Sequence, residues 1–265
     1  MRYGCCTGFA SEPPFGIDPS LEEMIGKAGF DFIEYPLMSV QDLSDEGYAN
    51  LRRRRDRFSL ACDCGCNLFP GSIPVVGEAY NEGKTHSYLD SAFRRAHELG
   101  TGKLIFGSAG ARKRGKLFVS IADAYFQNIL TVLEPYCARY GIDICIEPIR
   151  VGEADYINTL DQGAAQARIA RLSGLEHVFL LADLFHMMCN NEPLDSLERN
   201  FDILRHIHVA EADRLLPDSG FSNYVGKALA LLRKLGYRGT VSFEAKRPEN
   251  VEHLARCLSL LKANL

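Results

Sequence analysis

The chain has 265 residues, of which 46% are hydrophobic and 24% are charged, and this composition excludes an intrinsically disordered protein. Its net charge is −4, whereas proteins that bind nucleic acid usually carry a basic surface, so no nucleic-acid partner is expected. No apolar run approaches the roughly 18 residues of a membrane-spanning helix, and the N-terminus lacks the pattern of a secretion signal. Nine cysteines in no regular framework fit a cytoplasmic protein without a membrane partner.

In chain order, short β-prone runs alternate with longer amphipathic runs that favour helices. Several of the β-prone runs are apolar throughout, which is typical of strands covered on both faces. The predicted strands are Arg2–Cys6, Phe30–Tyr35, Phe58–Cys64, Lys103–Gly107, Ile142–Glu147, His177–Asp183, Ile203–Val209 and Gly239–Glu244. The predicted helices are Pro19–Ala28, Ser39–Asp56, Thr85–Leu99, Lys116–Tyr140, Ala154–Leu172, Pro193–Asn200, Asn223–Leu235 and Pro248–Lys262.

Eight βα units in a chain of this length predict a single α/β domain over residues 1–265 with the architecture of a (β/α)₈ TIM barrel. An open doubly wound sheet is disfavoured, because the first strand leads into Thr7-Gly8-Phe9-Ala10 and not into a Gly-rich dinucleotide-binding turn. In a TIM barrel the active site lies at the C-terminal ends of the strands. Residues at those positions are therefore the candidates for function.

Four consecutive predicted strands end in side chains that can bind a metal ion. They are Glu147, Asp183, His208 and Glu244, at intervals of 36, 25 and 36 residues, each near the length of one βα unit. A carboxylate at the end of an apolar strand is unfavourable unless its charge is compensated, and three converging carboxylates repel one another. A divalent cation removes both difficulties, although each acid taken alone can also cap a helix or pair with an arginine. Three carboxylates and one imidazole suit Mn²⁺, Mg²⁺, Co²⁺ or Zn²⁺.

These strand ends also carry a family resemblance, strongest from Gly141 to Glu244. The residues that carry it are Ile146-Glu147-Pro148 with Glu153, Asp183-Leu184-Phe185-His186-Met187, His208-Val209-Ala210-Glu211 with Arg214, and Gly236-Tyr237 through Phe243-Glu244. With them the chain resembles the xylose-isomerase-like barrel superfamily of sugar isomerases and epimerases. Within that superfamily it is most similar to ketose 3-epimerases and hydroxypyruvate isomerases.

The resemblance implies a role for each matching position. Glu147, Asp183, His208 and Glu244 would be the ligands of one divalent metal, with Mn²⁺ first and Mg²⁺, Co²⁺ or Zn²⁺ as alternatives. Glu147 and Glu244 would also be the catalytic acid and base. Glu153, His186 and Arg214 would hold the oxygens of a small-molecule sugar substrate. The resemblance also implies self-association, since related barrels often form dimers or tetramers.

The chemistry of the residues agrees with these roles. A metal that holds a carbonyl and a neighbouring hydroxyl stabilises an enediolate, so that a carboxylate can remove the α-proton. Two glutamates on opposite faces of the planar intermediate invert the carbon, which is epimerisation. The same residues can instead move a proton between adjacent carbons, which is aldose–ketose isomerisation. The sequence leaves both outcomes open.

Three other classes of function are weighed against this one. A lyase or dehydratase that acts on a polyol or glycoside would use the same enediolate. An abasic-site endonuclease of the same superfamily needs additional histidines on strands three and four, and Cys64-Gly65-Cys66 and Phe106-Gly107-Ser108 supply none. A non-catalytic barrel subunit would not need a complete set of ligands.

Four further features carry separate expectations. Cys62, Cys64 and Cys66 alternate on the third predicted strand and are expected to pack, with the outermost, Cys66, as a candidate contact of the substrate. Lys246 lies two residues after Glu244, which favours an anionic or very polar substrate.

His206 shares a strand face with His208 and is either an inward packing residue or a rival ligand. The run Arg112-Lys113-Arg114 after the fourth strand is either a solvated loop or a contact for a phosphate or carboxylate.

Overall fold

The strands of the protein close into a barrel. A computed structural model describes residues 1–9 and 16–265. Eight parallel strands pair in chain order, and β1 pairs with β8 to close the sheet. The strands are β1 (Arg2–Cys6), β2 (Phe32–Pro36), β3 (Cys64–Cys66), β4 (Lys103–Phe106), β5 (Asp143–Ile146), β6 (Val178–Asp183), β7 (Leu204–Val209) and β8 (Thr240–Phe243). The predicted (β/α)₈ barrel is thereby confirmed.

Helices connect the strands on the outside of the barrel. They are α1 (Pro19–Ala28), α2 (Leu37–Asp42), α3 (Asp45–Arg57), α4 (Glu82–Glu98), α5 (Val119–Tyr140), α6 (Leu160–Leu172), α7 (Leu184–Cys189), α8 (Asp195–Arg199), α9 (Asn223–Lys234) and α10 (Val251–Asn264). Helix α1 begins and ends as its sequence predicts. The Asp18 side chain accepts from the backbone of Ser20 and Leu21, and Gly29 ends the helix with a φ of 84°.

The third strand is the main error of the sequence-based prediction. It was expected at Phe58–Cys64, but β3 spans only Cys64–Cys66. Residues 58–60 instead complete the end of α3, where the Leu60 backbone N–H donates to the Arg55 carbonyl and Ser59 has a φ of 52°. The later part of the run still contacts the sheet, since the Ala61 carbonyl accepts from the Ile33 N–H and the Asp63 carbonyl accepts from the Lys103 N–H, but the continuous strand begins only at Cys64. Cys62 therefore precedes the strand, and only Cys64 and Cys66 share it.

Several helix boundaries also differ from the prediction. The expected helix Ser39–Asp56 is two helices, α2 and α3, because Ser44 caps a new helix by accepting from the backbone of Gly47. The expected helix Ala154–Leu172 begins later, at α6, where Thr159 and Gln162 form a reciprocal capping box. Helix α7, directly after β6, was not predicted, since six residues are too few to show a helical period.

The apolar core has two main layers, and a third, small cluster consists of Phe185, Ala210 and Ala245. The larger layer lies between the strands and the surrounding helices. A smaller cluster fills the inside of the barrel and consists of Cys6, Cys66, Ile105, Cys145, Phe179 and Leu181. The barrel is therefore a packed core and not a pore. Among the described residues, no helix is both long enough and apolar enough to span a bilayer.

Candidate metal centre

The four predicted ligands meet at the C-terminal end of the barrel. One donor atom from each of Glu147, Asp183, His208 and Glu244 lies within 4.8 Å of the others, and all four side chains are buried. His208 Nδ1 lies 3.1 Å from Glu147 Oε1 and 3.4 Å from Glu244 Oε2. Glu147 directly follows β5 and Glu244 directly follows β8, whereas Asp183 ends β6 and His208 lies within β7. The closed sheet thus brings together residues that are far apart in the sequence.

Asp183 is held in one orientation by two sets of contacts. Its Oδ1 caps α7 and accepts from the backbone N–H groups of Phe185 at 2.8 Å and His186 at 3.2 Å. Its Oδ2 accepts from Arg214 Nη1 at 2.8 Å. The short helix α7 therefore serves to fix this carboxylate at the rim.

Arg214 links the carboxylates to His186. Its Nη1 also donates to Glu244 Oε2 at 2.7 Å, and its Nη2 lies 2.8 Å from His186 Nε2. Because a guanidinium only donates, His186 Nε2 accepts and the ring proton is on Nδ1. His186 Nδ1 and Arg214 Nε are buried without a hydrogen-bond partner among the described residues. Two buried donors are thus left for oxygen atoms of a ligand.

The backbone around Arg214 is strained. Asp213 and Arg214 have φ values of 58° and 59°, a region that residues other than glycine rarely adopt. Such a conformation costs roughly 1–3 kcal/mol per residue and occurs mostly at functional sites. The rings of Phe9 and Phe185 lie 4.6 and 4.2 Å from the guanidinium carbon and support it from outside.

The ionisable groups perturb one another strongly. Burial and the neighbouring charge of Glu244 raise the pKa of Glu147. Burial alone would raise the pKa of Asp183, but the adjacent Arg214 guanidinium holds that pKa well below its usual range. Burial alone would lower the pKa of His208, but the carboxylates of Glu244 and Glu34 raise it well above its ordinary value of 6.5. Three carboxylates around one imidazole thus carry an excess of negative charge that a cation can offset.

The donor set fits a divalent metal ion. Carboxylate oxygens are hard ligands, and an imidazole nitrogen is accepted by Mn²⁺, Co²⁺ and Zn²⁺ in mixed sites. His206, which the sequence left as a rival ligand, does not belong to this group of four and lies deeper in the barrel. The four strand-end residues can therefore hold an ion without His206.

The remaining predicted site residues surround this centre at different depths. A cavity of about 500 Å³ is lined by residues that include Glu153, Arg214 and Lys246. The Lys246 backbone N–H donates a hydrogen bond to the Arg214 carbonyl. Glu153 is exposed and paired with Arg150 at 2.6 Å. Cys66 is buried in the inner cluster, 3.3 Å from Cys6 Sγ. Glu153 and Lys246 thus line the mouth and not the centre.

Sequence reasoning missed two residues at the site, Glu34 and Gly107, and assigned the wrong role to a third, Arg112. Glu34, on β2, is fully buried and contacts both His206 and His208. Gly107 follows β4, and a Cβ atom there would lie 2.1 Å from Glu147 Oε2. Arg112 is buried and donates to the Glu147 carbonyl at 2.7 Å, so the expectation of a solvated or anion-binding loop is wrong for this residue. A glutamate inside an otherwise apolar strand was the one signal that could have indicated Glu34.

Fold and site together define a TIM barrel in which four successive strands bring to one rim side chains that could hold a metal ion. The chain belongs to the xylose isomerase-like TIM barrel family, whose model matches residues 23–261. This confirms the family resemblance seen in the sequence.

Three known proteins show the range of similarity. A 3-dehydro-D-guloside 4-epimerase of Escherichia coli is 33% identical over 118 residues, which are 44% of each chain, so this match spans less than half of that relative. A D-psicose 3-epimerase of Agrobacterium fabrum is 26% identical over 84% of this chain and 77% of its own. The solved structure of an IolI protein, described with a bound zinc atom, matches this chain with a TM-score of 0.70 at 18% identity. The match covers 100% of this chain and 96% of the IolI chain. The names of the two epimerases agree with the predicted enzyme class, a sugar isomerase or epimerase.

Proposed function

We propose that the protein is a divalent-metal-dependent epimerase of keto sugars or keto glycosides that moves a proton with Glu147 and Glu244. The observation that carries this proposal is the convergence of Glu147, Asp183, His208 and Glu244, all buried, within 4.8 Å. The similarity to a ketose 3-epimerase and to a keto-glycoside 4-epimerase supports the choice of epimerisation. Both named reactions invert a carbon of a keto sugar.

The chain's own residues provide the acid–base chemistry. Glu147 and Glu244 approach His208 from β5 and β8 and are thus presented from different sectors of the rim. The raised pKa of Glu147 suits a carboxyl group that acts as a general acid or a general base. We assign one glutamate to remove the proton next to the carbonyl and the other to return it on the opposite face.

The bound metal would polarise the carbonyl oxygen of the sugar and so lower the pKa of the adjacent C–H. Arg214 Nε and His186 Nδ1 supply the buried donors for the remaining oxygens, and the cavity near Glu153 accommodates the rest of the substrate. Mn²⁺ as the natural ion, a cytoplasmic location and a dimer or tetramer stay predictions. They are tested by metal analysis, fractionation and solution mass.

Solvent-exchange NMR tests the proposed reaction. The Mn²⁺-loaded protein is incubated in D₂O with ketoses and 3-keto and 4-keto glycosides, the ion is removed, and deuterium is located on the sugar. We expect deuterium at one carbon next to the carbonyl, with inversion there. Glu147→Gln and Glu244→Gln should each reduce the exchange at least 10³-fold, within the typical range of acid–base catalysis.

The matched control is Glu22→Gln, because Glu22 is equally buried but pairs with Arg54 outside the barrel. It should leave the exchange unchanged. Wild-type turnover in Glu244→Gln would contradict the two-glutamate mechanism. Absence of exchange with every keto sugar, in protein that holds one metal per chain, would contradict the proposed function.

Lys246 tests the charge of the substrate. It is exposed and lines the cavity beside Arg214, so a carboxylate or phosphate on the sugar would be attracted to it. At about 4 Å in water this attraction is about 1 kcal/mol, or roughly fivefold. Lys246→Leu should reduce kcat/KM for anionic keto sugars by about that factor and leave neutral ones unchanged. The control is Lys234→Leu, since Lys234 lies at the end of α9, at the opposite end of the barrel. Equal effects of Lys246→Leu on anionic and neutral substrates would show that Lys246 does not select charge.

A further inference from the structure

A fully buried carboxylate lies beneath the metal centre, inside the barrel. Glu34 belongs to β2, and its side chain has no exposure to solvent. Its Oε1 lies 3.1 Å from His208 Nε2, and its Oε2 lies 3.2 Å from His206 Nε2. Each carboxylate oxygen thus accepts a hydrogen bond from a different histidine of β7.

The contacts continue away from the metal centre. His206 Nδ1 lies 2.7 Å from Thr240 Oγ1, at the start of β8. Both histidines are completely buried. Thr240, His206 and Glu34 therefore form a connected row of hydrogen bonds across three strands that ends on the inner nitrogen of His208.

The row determines which nitrogen of His208 can bind a metal. A neutral imidazole carries one proton, and the nitrogen that bears it cannot be a ligand. His208 Nδ1 faces Glu147 and Glu244, so the ligand nitrogen is Nδ1 and the proton must be on Nε2. Glu34 is the acceptor for that proton, and as an ionised acceptor it favours this tautomer and fixes the plane of the ring.

A second ion between Glu34, His206 and His208 is the alternative explanation of these contacts, since donor atoms of the three residues also lie within 4.8 Å of one another. If both ions were present, His208 would have to bridge them through both nitrogens, which requires a fully deprotonated imidazolate. The hydrogen-bonded row requires only a neutral ring. It also satisfies both oxygens of Glu34 within the protein.

We propose that Glu34 is a positioning residue that holds His208 in the Nε2–H tautomer with Nδ1 directed at the metal, and that His206 and Thr240 hold Glu34 in turn. This inference rests on the proposed metal centre, because it concerns one of its ligands. Outer partners of this kind typically change metal affinity by about 10- to 100-fold. Glu34 contacts the two histidines, and the role proposed for it does not require contact with the substrate.

Metal titration is the first test. Free Mn²⁺ is measured by EPR in titrations of the wild type, Glu34→Gln and the control Glu22→Gln, which removes an equally buried charge on α1. We expect one ion per chain in all three and a Kd about 10- to 100-fold higher for Glu34→Gln alone. A Kd within twofold of the wild type in Glu34→Gln would overturn the proposal. So would two ions in the wild type and one in Glu34→Gln.

The tautomer is the second test, and it uses the wild type in case Glu34→Gln fails to fold. The protein is labelled with ¹⁵N-histidine and loaded with diamagnetic Zn²⁺, and the His208 signals are assigned by their loss in His208→Asn. We expect the proton on Nε2 and none on Nδ1. A proton on Nδ1 would overturn the proposal. If the wild type binds no metal, the proposed centre fails together with this inference, whereas normal binding in Glu34→Gln contradicts only the role of Glu34.

Discussion

Single residues decide how closely the carboxylates can approach one another. Glu147 reaches the centre because the residue beside it, Gly107, has no side chain. Asp183 is held at both oxygens, by the start of α7 and by Arg214. The site is therefore formed by contacts that exclude other rotamers, and not by the presence of the ligand residues alone.

Gly107→Ala should weaken the metal site without unfolding the protein. The added Cβ would lie 2.1 Å from Glu147 Oε2, so the carboxylate has to move away from the other ligands. We expect the Mn²⁺ affinity to fall at least tenfold, which corresponds to about 1.4 kcal/mol, with a small change in Tm.

Gly102→Ala is the matched control. Gly102 lies at the other end of the same strand, and a Cβ there would meet only the Asp63 carbonyl at 3.9 Å. Both variants are titrated with Mn²⁺ and heated in parallel. Unchanged affinity in Gly107→Ala would show that Glu147 has room to adapt.

At the scale of elements, the loops after β4 and β5 are joined by one buried arginine. Arg112 donates to the carbonyls of Gly107, Glu147 and Tyr156, the last two at 2.7 Å. Burial lowers the pKa of the Arg112 guanidinium to about 10, which still leaves it charged at neutral pH. The carbonyl groups of the two loops, one of which carries Glu147, therefore stabilise the buried charge of Arg112.

Arg112→Leu should destabilise the protein substantially. It removes several charge-assisted hydrogen bonds, each worth roughly 1.5–3 kcal/mol, and leaves buried carbonyls without a donor. We expect the free energy of unfolding to fall by at least ~3 kcal/mol in urea titrations. The exposed neighbour gives the control, since Lys113→Leu should change it by less than about 0.5 kcal/mol. Similar values for both variants would mean that Arg112 is not a structural link.

At the scale of the whole molecule, a metal ion at the proposed centre would couple the four strands from β5 to β8. A ligand that binds only the folded state stabilises it, by about 2.7 kcal/mol at a concentration 100 times its Kd. Because the ligands come from residues 147 to 244, this stabilisation acts on the closed barrel and not on one loop.

The stabilisation by metal should depend on pH. In the metal-free protein the raised pKa of His208 stabilises the fold below its ordinary value of 6.5, and this contribution is lost as the pH rises through the folded value. Metal binding requires the neutral ring, so the increase in Tm on adding Mn²⁺ should grow from pH 5.5 to pH 8. At the higher pH, with the ion at 100 times its Kd, the increase should be about 5 °C or more. Calorimetry with Mn²⁺ and with EDTA measures this increase in Tm. An increase in Tm that becomes smaller as the pH rises would contradict the competition between the proton on His208 and the metal.

The sequence by itself determined the barrel and the four residues that meet at its rim, whose role as metal ligands stays a prediction. Both follow from the order of residues along the chain. An apolar strand that ends in an acid or a histidine, repeated at the length of one βα unit, places those side chains on one rim of any such barrel. The predicted start of β3 was wrong because residues 58–60 belong to the end of α3, and the continuous strand begins only at Cys64.

Only the tertiary structure decided which side chains contact the four residues at this rim. Glu34 and His208 are 174 residues apart in the chain, and Arg214 meets Asp183 across 31 residues. Which side chains meet in the barrel depends on closure and register of the strands, and burial of a charge depends on everything packed around it. The spacing of residues along the chain determines neither the contacts nor the burial, so the partners of Glu34, the close approach of Glu147 to Gly107 and the burial of Arg112 became visible only in the folded protein.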